Sequence, residues 1–127
     1  MTDDYLLDTN IVTAILRKNP QVADRLRAAL ASNARVFISA VVYYEIKRGL
    51  LKRDASRQLA AFEEMVRHLE WLDVERTHWD AAAALWAESR RAGAPINDAD
   101  LLLAAQARQI RAVVVTDDDD FDRLGVP

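Results

Sequence analysis

The chain has 127 residues, 51% hydrophobic and 29% charged, with three glycines, three prolines and no cysteine. That length and mixture suit one domain spanning residues 1–127 with a single core, exclude a disordered or low-complexity chain, and exclude disulfides, thiolate metal sites and a cysteine nucleophile. The formal net charge of −3 argues at first against a polyanionic partner; no apolar run approaches the ~20 residues that span a bilayer, and MTDDYLLD carries acids where a secretory signal carries bases, so the expectation is a cytoplasmic protein without a membrane partner.

In chain order, YLLDTNIV (Tyr5 to Val12) reads as a short buried strand ending at Asp8 and feeding a helix over Asn10 to Arg17. A second helix is expected from Pro20 to Ala31, with Pro at its start and Val22, Leu26 and Leu30 at intervals of four. Val36-Phe37-Ile38 forms a strand, and Ser39 caps a helix from Ala40 to Leu51. A charged helix follows from about Ser56 to Arg67, with Leu59, Phe62, Met65 and Val66 on one face, suited to the core or to a partner. Trp71 to Val74 suits a third strand, Asp80 to Ala92 a helix ended by Gly93, and Asn97 or Asp98 caps a helix whose run Leu101 to Ala105 is apolar all round and so buried. Arg111 to Thr116 supplies the last strand, leading into Asp117 to Asp120. Strands separated by helices predict an α/β fold with a mainly parallel sheet covered on both faces, and in such sheets ligands bind beyond the carboxyl ends of the strands.

The first and last strands both end in acid, so if they are neighbours Asp8 and the Asp117–Asp120 run share one edge of the sheet. Glu45 sits within the most apolar part of its helix, and Asp100 in the first turn of the helix that leads into LLLAA. Each has a structural explanation: Asp8 as a helix cap, Glu45 bridged to Arg48, Asp100 joined to Asn97. Four acids able to reach one crevice make a stronger case, because like charges ~4 Å apart repel by roughly 1–4 kcal/mol and must protonate or bind cations. Ligation by oxygen alone suits Mg²⁺ or Mn²⁺, and carboxylate-held ions of that kind are a recurring device of nucleases and phosphatases. His68 and His78 read as surface or boundary residues, Tyr43 and Tyr44 as core or dimer-interface residues, and Trp71, Trp79 and Trp86 as packing.

LLDTNIV, SAVVYYEIKRG, INDADLLLAAQA and VVVTDDDDF, in this order and spacing, give the chain a family likeness: it resembles the PIN-domain ribonucleases and, within them, the VapC-type toxins of toxin–antitoxin pairs. The resemblance covers Asp8 to Phe121 and implies a PIN-like three-layer α/β/α sandwich with a small central sheet. By position it places the family's acidic quartet, catalytic and metal-holding, on Asp8, Glu45, Asp100 and Asp118, with Asp98 a rival to Asp100 and Asp117, Asp119 and Asp120 crowding the fourth position. Asn10 and Thr116 match supporting polar positions, as does Asp120 beside Phe121. The implied activity is a Mg²⁺- or Mn²⁺-dependent endoribonuclease that cuts RNA such as transfer or ribosomal RNA by in-line attack of water, leaves a 5′-phosphate and stops translation. The implied partners are a VapB-type antitoxin and a second copy in a homodimer.

Setting aside the four site acids leaves 16 acids against 17 bases, a formal charge of +1, so the rest of the molecule is not acidic. Fourteen of the bases are Arg, which grips phosphate with a planar fork. Arg17-Lys18, Lys47-Arg48, Lys52-Arg53 and Arg90-Arg91 are the pairs to weigh as phosphate contacts. Two rival readings remain: an aspartate-nucleophile phosphatase, against which Asn10 stands where a second Asp is needed, and a catalytically silent PIN-like module, against which all four acids are present.

Overall fold

The computed structural model describes residues 3–117. Four short strands, β1 (Tyr5–Leu7), β2 (Val36–Ser39), β3 (Glu70–Leu72) and β4 (Val113–Val115), form one sheet in the order β3-β2-β1-β4. All pairings are parallel: Tyr5 stands beside Val36 and Val113, and Phe37 beside Glu70. Six helices connect them: α1 (Thr9–Leu16), α2 (Pro20–Ala31), α3 (Ala40–Lys52), α4 (Ser56–Val66), α5 (Arg76–Arg91) and α6 (Asp98–Ile110). Parallel strands take right-handed crossovers. The chain steps β1-β2-β3 in one direction and then returns past β1 to β4, so α1–α4 fall on one face of the sheet and α5–α6 on the other. The direction reverses between β1 and β4, which are neighbours, so the condition for Asp8 and the residues after β4 to share one edge of the sheet is met.

The core is the sheet's filling: Leu6, Val36 and Ile38 from the strands, Phe62 from α4, and Leu101 and Leu103 from α6 are almost fully buried. The face of α4 that suits either core or partner is core: Phe62 is part of the buried cluster, and Leu59, Met65 and Val66 are partly buried against that cluster. α6 is buried from Leu101 through Ala107, as its continuous apolar run demands. Its Gln106 is fully buried and donates through Nε2 to the Asp73 carbonyl at 3.1 Å, tying the end of β3 to α6.

Three expectations need correction. α5 begins at Arg76 rather than Asp80, because Glu75 and His78 form a reciprocal capping box in which the His78 imidazole accepts from the Glu75 backbone N–H at 2.8 Å. That role draws His78 inside, to 4% exposure, so it is not a surface residue, whereas His68 is exposed as expected. Tyr44 and Trp79 are 60% and 56% exposed, and Trp71 and Trp86 are exposed as well, so the three tryptophans are not core packing. Trp71 still meets Tyr43 edge-on, with ring centroids 5.0 Å apart. α5 ends as expected, with Gly93 at φ +71°, a left-handed conformation that spares glycine the usual steric cost. Among the described residues no helix is long and apolar enough to cross a membrane.

Candidate active site

Where β1 stops, Leu7 gives way to Asp8, which turns the chain into α1 with an extended backbone and accepts the Thr9 N–H through Oδ1 at 2.7 Å. Its other oxygen, Oδ2, accepts the Thr116 hydroxyl at 2.6 Å, from the residue after β4. The backbone repeats this link, since Asp8 N–H donates to the Val115 carbonyl at 3.1 Å. Asp8 is thus the cap of α1 and also a buried carboxylate, 6% exposed, at the point where the strand order reverses.

The neighbouring segments bring three further acids to the same place. Glu45, on the second turn of α3, accepts the Thr9 hydroxyl at 3.3 Å. Asp100 lies in the first turn of α6, where Asn97 holds it reciprocally: Asn97 Oδ1 accepts the Asp100 N–H at 2.9 Å and Asn97 Nδ2 donates to Asp100 Oδ2 at 3.0 Å. Asp117 follows β4 and accepts from Asn10 Nδ2, the same amide group that reaches Thr116 Oγ1 at 3.3 Å. Asp8, Glu45, Asp100 and Asp117 all line one open cleft of ≈ 600 Å³, together with Asn10, Thr9 and Arg17.

Of the sequence-predicted residues, the structure therefore brings together Asp8, Glu45 and Asp100, supported by Asn10 and Thr116. Asp98 is exposed and is not among the residues lining the cleft, whereas Asp100 is. Asp118 and Asp120 lie outside the described residues. The acid seen in the cleft from this loop is Asp117, a residue the motif match had ranked behind Asp118; its contact with Asn10 is a tertiary fact that local spacing does not encode. Glu45 does not bridge to Arg48: among the described residues neither Asp8, Glu45 nor Asp117 is in a salt bridge, and Arg48 instead lies over the Tyr44 ring.

The cleft's donors are carboxylate, amide and hydroxyl oxygens, with no imidazole or sulfur among the described lining residues. Asn10 Oδ1 is buried there without a hydrogen-bond partner. Both facts suit a hard divalent cation. Among the described residues no three acids stand close enough to one another to hold such an ion. The cleft matches the ion in chemistry, and its described part does not by itself make a complete ligand set.

Comparison with known proteins places these features in a wider group. The family model described as "PIN domain" matches residues 5–127. The chain is 31% identical to the tRNA(fMet)-specific endonuclease VapC of Shigella flexneri, over 95% of this chain and 92% of that one. Among solved structures, VapBC2 from Rickettsia felis bound to a DNA fragment from its promoter superimposes with a TM-score of 0.86 at 26% identity, covering 97% of this chain and 92% of that one. DNA-bound VapBC from Salmonella typhimurium follows at 0.83 and 26%, covering 94% and 90%.

Proposed function

The chain belongs to the PIN-domain family, and from that premise we propose that it is an endoribonuclease of VapC type, the toxin of a toxin–antitoxin pair. One observation carries the reading: acids from four separate segments, Asp8, Glu45, Asp100 and Asp117, line a single cleft at the switch point of the sheet, with no lysine among the described residues of its lining. An RNA phosphodiester brings the negative charge that such a cleft accepts only through cations. Asp8, Glu45, Asp100 and an acid of the Asp117–Asp120 run would hold Mg²⁺ or Mn²⁺. When bound, the ion supplies charge neutralisation at the phosphoryl group and makes water a better nucleophile.

The protein's own part is positioning. Thr9 N–H and the Thr116 hydroxyl fix the two oxygens of Asp8 in orientation, leaving each with lone pairs directed away from those donors. Asn10 ties Thr116 and Asp117 to α1, so the ends of β1 and β4 move as one unit. The Thr9 hydroxyl does the same for Glu45 across from α3. Thr116→Val removes the donor to Asp8 at nearly constant volume. It is expected to lower the cleavage rate roughly 10–100-fold, as loss of an orienting partner does, and to raise the Mn²⁺ concentration needed for half-maximal rate. An unchanged metal requirement would remove Thr116 from the site.

The substrate we propose is transfer or ribosomal RNA, whose cutting stops translation. The relative at 31% identity is named for a transfer RNA, and the solved neighbours are named VapBC, so the partner we propose is a VapB-type antitoxin. The aspartate-nucleophile phosphatase is disfavoured, because Asp8 has both oxygens engaged by donors and Asn10 occupies the general-acid position. Incubation with total transfer and ribosomal RNA in Mg²⁺ or Mn²⁺, against an EDTA control, tests the reading. Discrete cuts that vanish in EDTA support it, and intact RNA in every lane refutes it.

A homodimer is part of the same proposal. Tyr44 and Leu51 are seven residues apart on α3, Trp79 and Trp86 seven apart on α5, and all four are exposed. Tyr44 and Trp79 line a shared depression next to Glu45. Exposed aromatic surface of this kind is the usual mark of an interface. Trp79→Glu is expected to shift the protein from dimer to monomer in sedimentation velocity while leaving its circular dichroism unchanged; a wild type that is already monomeric at high concentration would dispose of the dimer.

A further inference from the structure

The acid cleft does not end at Arg17. Thr9, Thr13, Arg17 and Glu45 line both this cleft and a second groove of ≈ 400 Å³ running between α1 and α3, so the two are continuous. Its walls follow from helical periodicity. Thr9, Thr13 and Arg17 recur every four residues on and just beyond α1, and Glu45, Gly49 and Lys52-Arg53 recur at the same interval on and just beyond α3. Charge is graded along it: half-buried Glu45 at the inner end, then the exposed bases Arg17, Lys52 and Arg53.

The structure also sorts the four basic pairs that sequence left equal. Lys47 is engaged by Glu63 at 3.2 Å and by the Tyr43 hydroxyl, hydrogen bonds that raise its pKa, Tyr43 contributing most. Arg48 and Arg90 lie over the rings of Tyr44 and Trp86. Arg17 and Lys52 form no salt bridge among the described residues, and Arg17 is the one basic side chain among the described residues lining the acid cleft.

Gly49 is the second, independent observation. It sits inside α3, where glycine weakens a helix relative to alanine, yet a Cβ added there would meet nothing within 4 Å. Packing therefore does not require this glycine. Its missing side chain leaves the floor of the groove bare, as a close approach by another backbone needs.

We propose that this groove is the track of the RNA backbone leaving the acid cleft: Arg17 grips the phosphate next to the cleft, Lys52 and Arg53 bind those further out, and Gly49 lets the strand lie against α3. The proposal rests on the nuclease reading and adds the direction in which the strand runs.

The test measures anisotropy of a short fluorescein-labelled single-stranded RNA in EDTA, where cleavage is suppressed, over a KCl series. Each phosphate contact contributes about 0.7 to the slope of log affinity against log salt for a single strand. Arg17→Ala is expected to weaken binding roughly tenfold and reduce that slope by about 0.7, and Lys52→Ala with Arg53→Ala to reduce it by about 1.4. Arg17→Lys restores most of the slope. Gly49→Ala is expected to raise the melting temperature while weakening RNA binding, a split that a purely structural glycine does not give. Wild-type affinity and slope in the Arg17 and Lys52/Arg53 variants, in a protein that cleaves RNA, would overturn the track and leave the nuclease reading intact. A wild type that neither binds nor cleaves RNA would overturn both.

Discussion

Asp8→Asn is expected to reduce RNA cleavage by on the order of 10³-fold or more without loss of folded protein. The two halves of that statement follow from the two tasks Asp8 performs. As the cap of α1 it needs only an acceptor oxygen toward the Thr9 N–H, and Asn caps helices as well as Asp does. The Thr116 hydroxyl, which donates to Asp8 Oδ2, can turn its lone pairs toward an amide N–H₂ instead. As a buried charge facing a cleft with three other acids, Asp8 has no substitute. Removing it forfeits several kcal/mol of charge stabilisation at the phosphoryl group, and each 1.36 kcal/mol is a factor of ten in rate. Single-turnover cleavage gives the rate, and urea unfolding gives the stability, where the midpoint is expected to stay or to rise because one like charge has left the cluster. Cleavage within tenfold of wild type would mean that Asp8 is only a cap.

Much of this site was legible because its parts are strand ends and helix starts, which sequence marks with local chemistry. The apolar runs at Tyr5–Leu7 and Val113–Val115 each stop at a polar residue, and parallel pairing then brings Asp8 beside Thr116. Ser39 and Asn97 cap α3 and α6 with the expected donors and acceptors, fixing where Glu45 and Asp100 project. What escaped is information held by contacts between distant segments. The start of α5 was hidden because its box uses Glu75 and His78, in place of the Ser or Thr with Glu that usually marks such a start. The helix carries two stripes: His78, Ala82, Leu85 and Ser89 face inward, while Trp79 and Trp86 face out. Periodicity finds both and cannot tell which one the core covers, and the larger side chains pointed to the wrong one. Of the four consecutive acids Asp117 to Asp120, the motif match favours Asp118, which lies outside the described residues, while Asp117 is tied to the site by a contact with Asn10 that local spacing does not encode.

The metal reading makes an expectation that does not depend on any substrate. An ion that binds the folded protein and not the unfolded chain stabilises it by RT ln(1 + [L]/Kd), about 2.7 kcal/mol at a hundredfold excess over Kd. For a domain of this size that raises the melting temperature by roughly 10 °C. Mn²⁺ added at constant ionic strength is therefore expected to shift wild-type melting upward, and EDTA to reverse the shift. Without metal, Asp8→Asn and Glu45→Gln each remove one of four like charges from the cleft, a repulsion of roughly 1–4 kcal/mol for charges ~4 Å apart and less at larger separations, so they should melt at or above wild type. With metal, each lacks a ligand charge and gains little, so the order inverts and wild type becomes the most stable of the three. Simple screening of surface charge by a divalent ion would raise all three alike, whichever acids remained. A crossing of the melting curves' order on adding Mn²⁺ thus assigns the ion to the cleft, while parallel shifts would leave the acids without a resident cation and withdraw the support that the proposed chemistry takes from them.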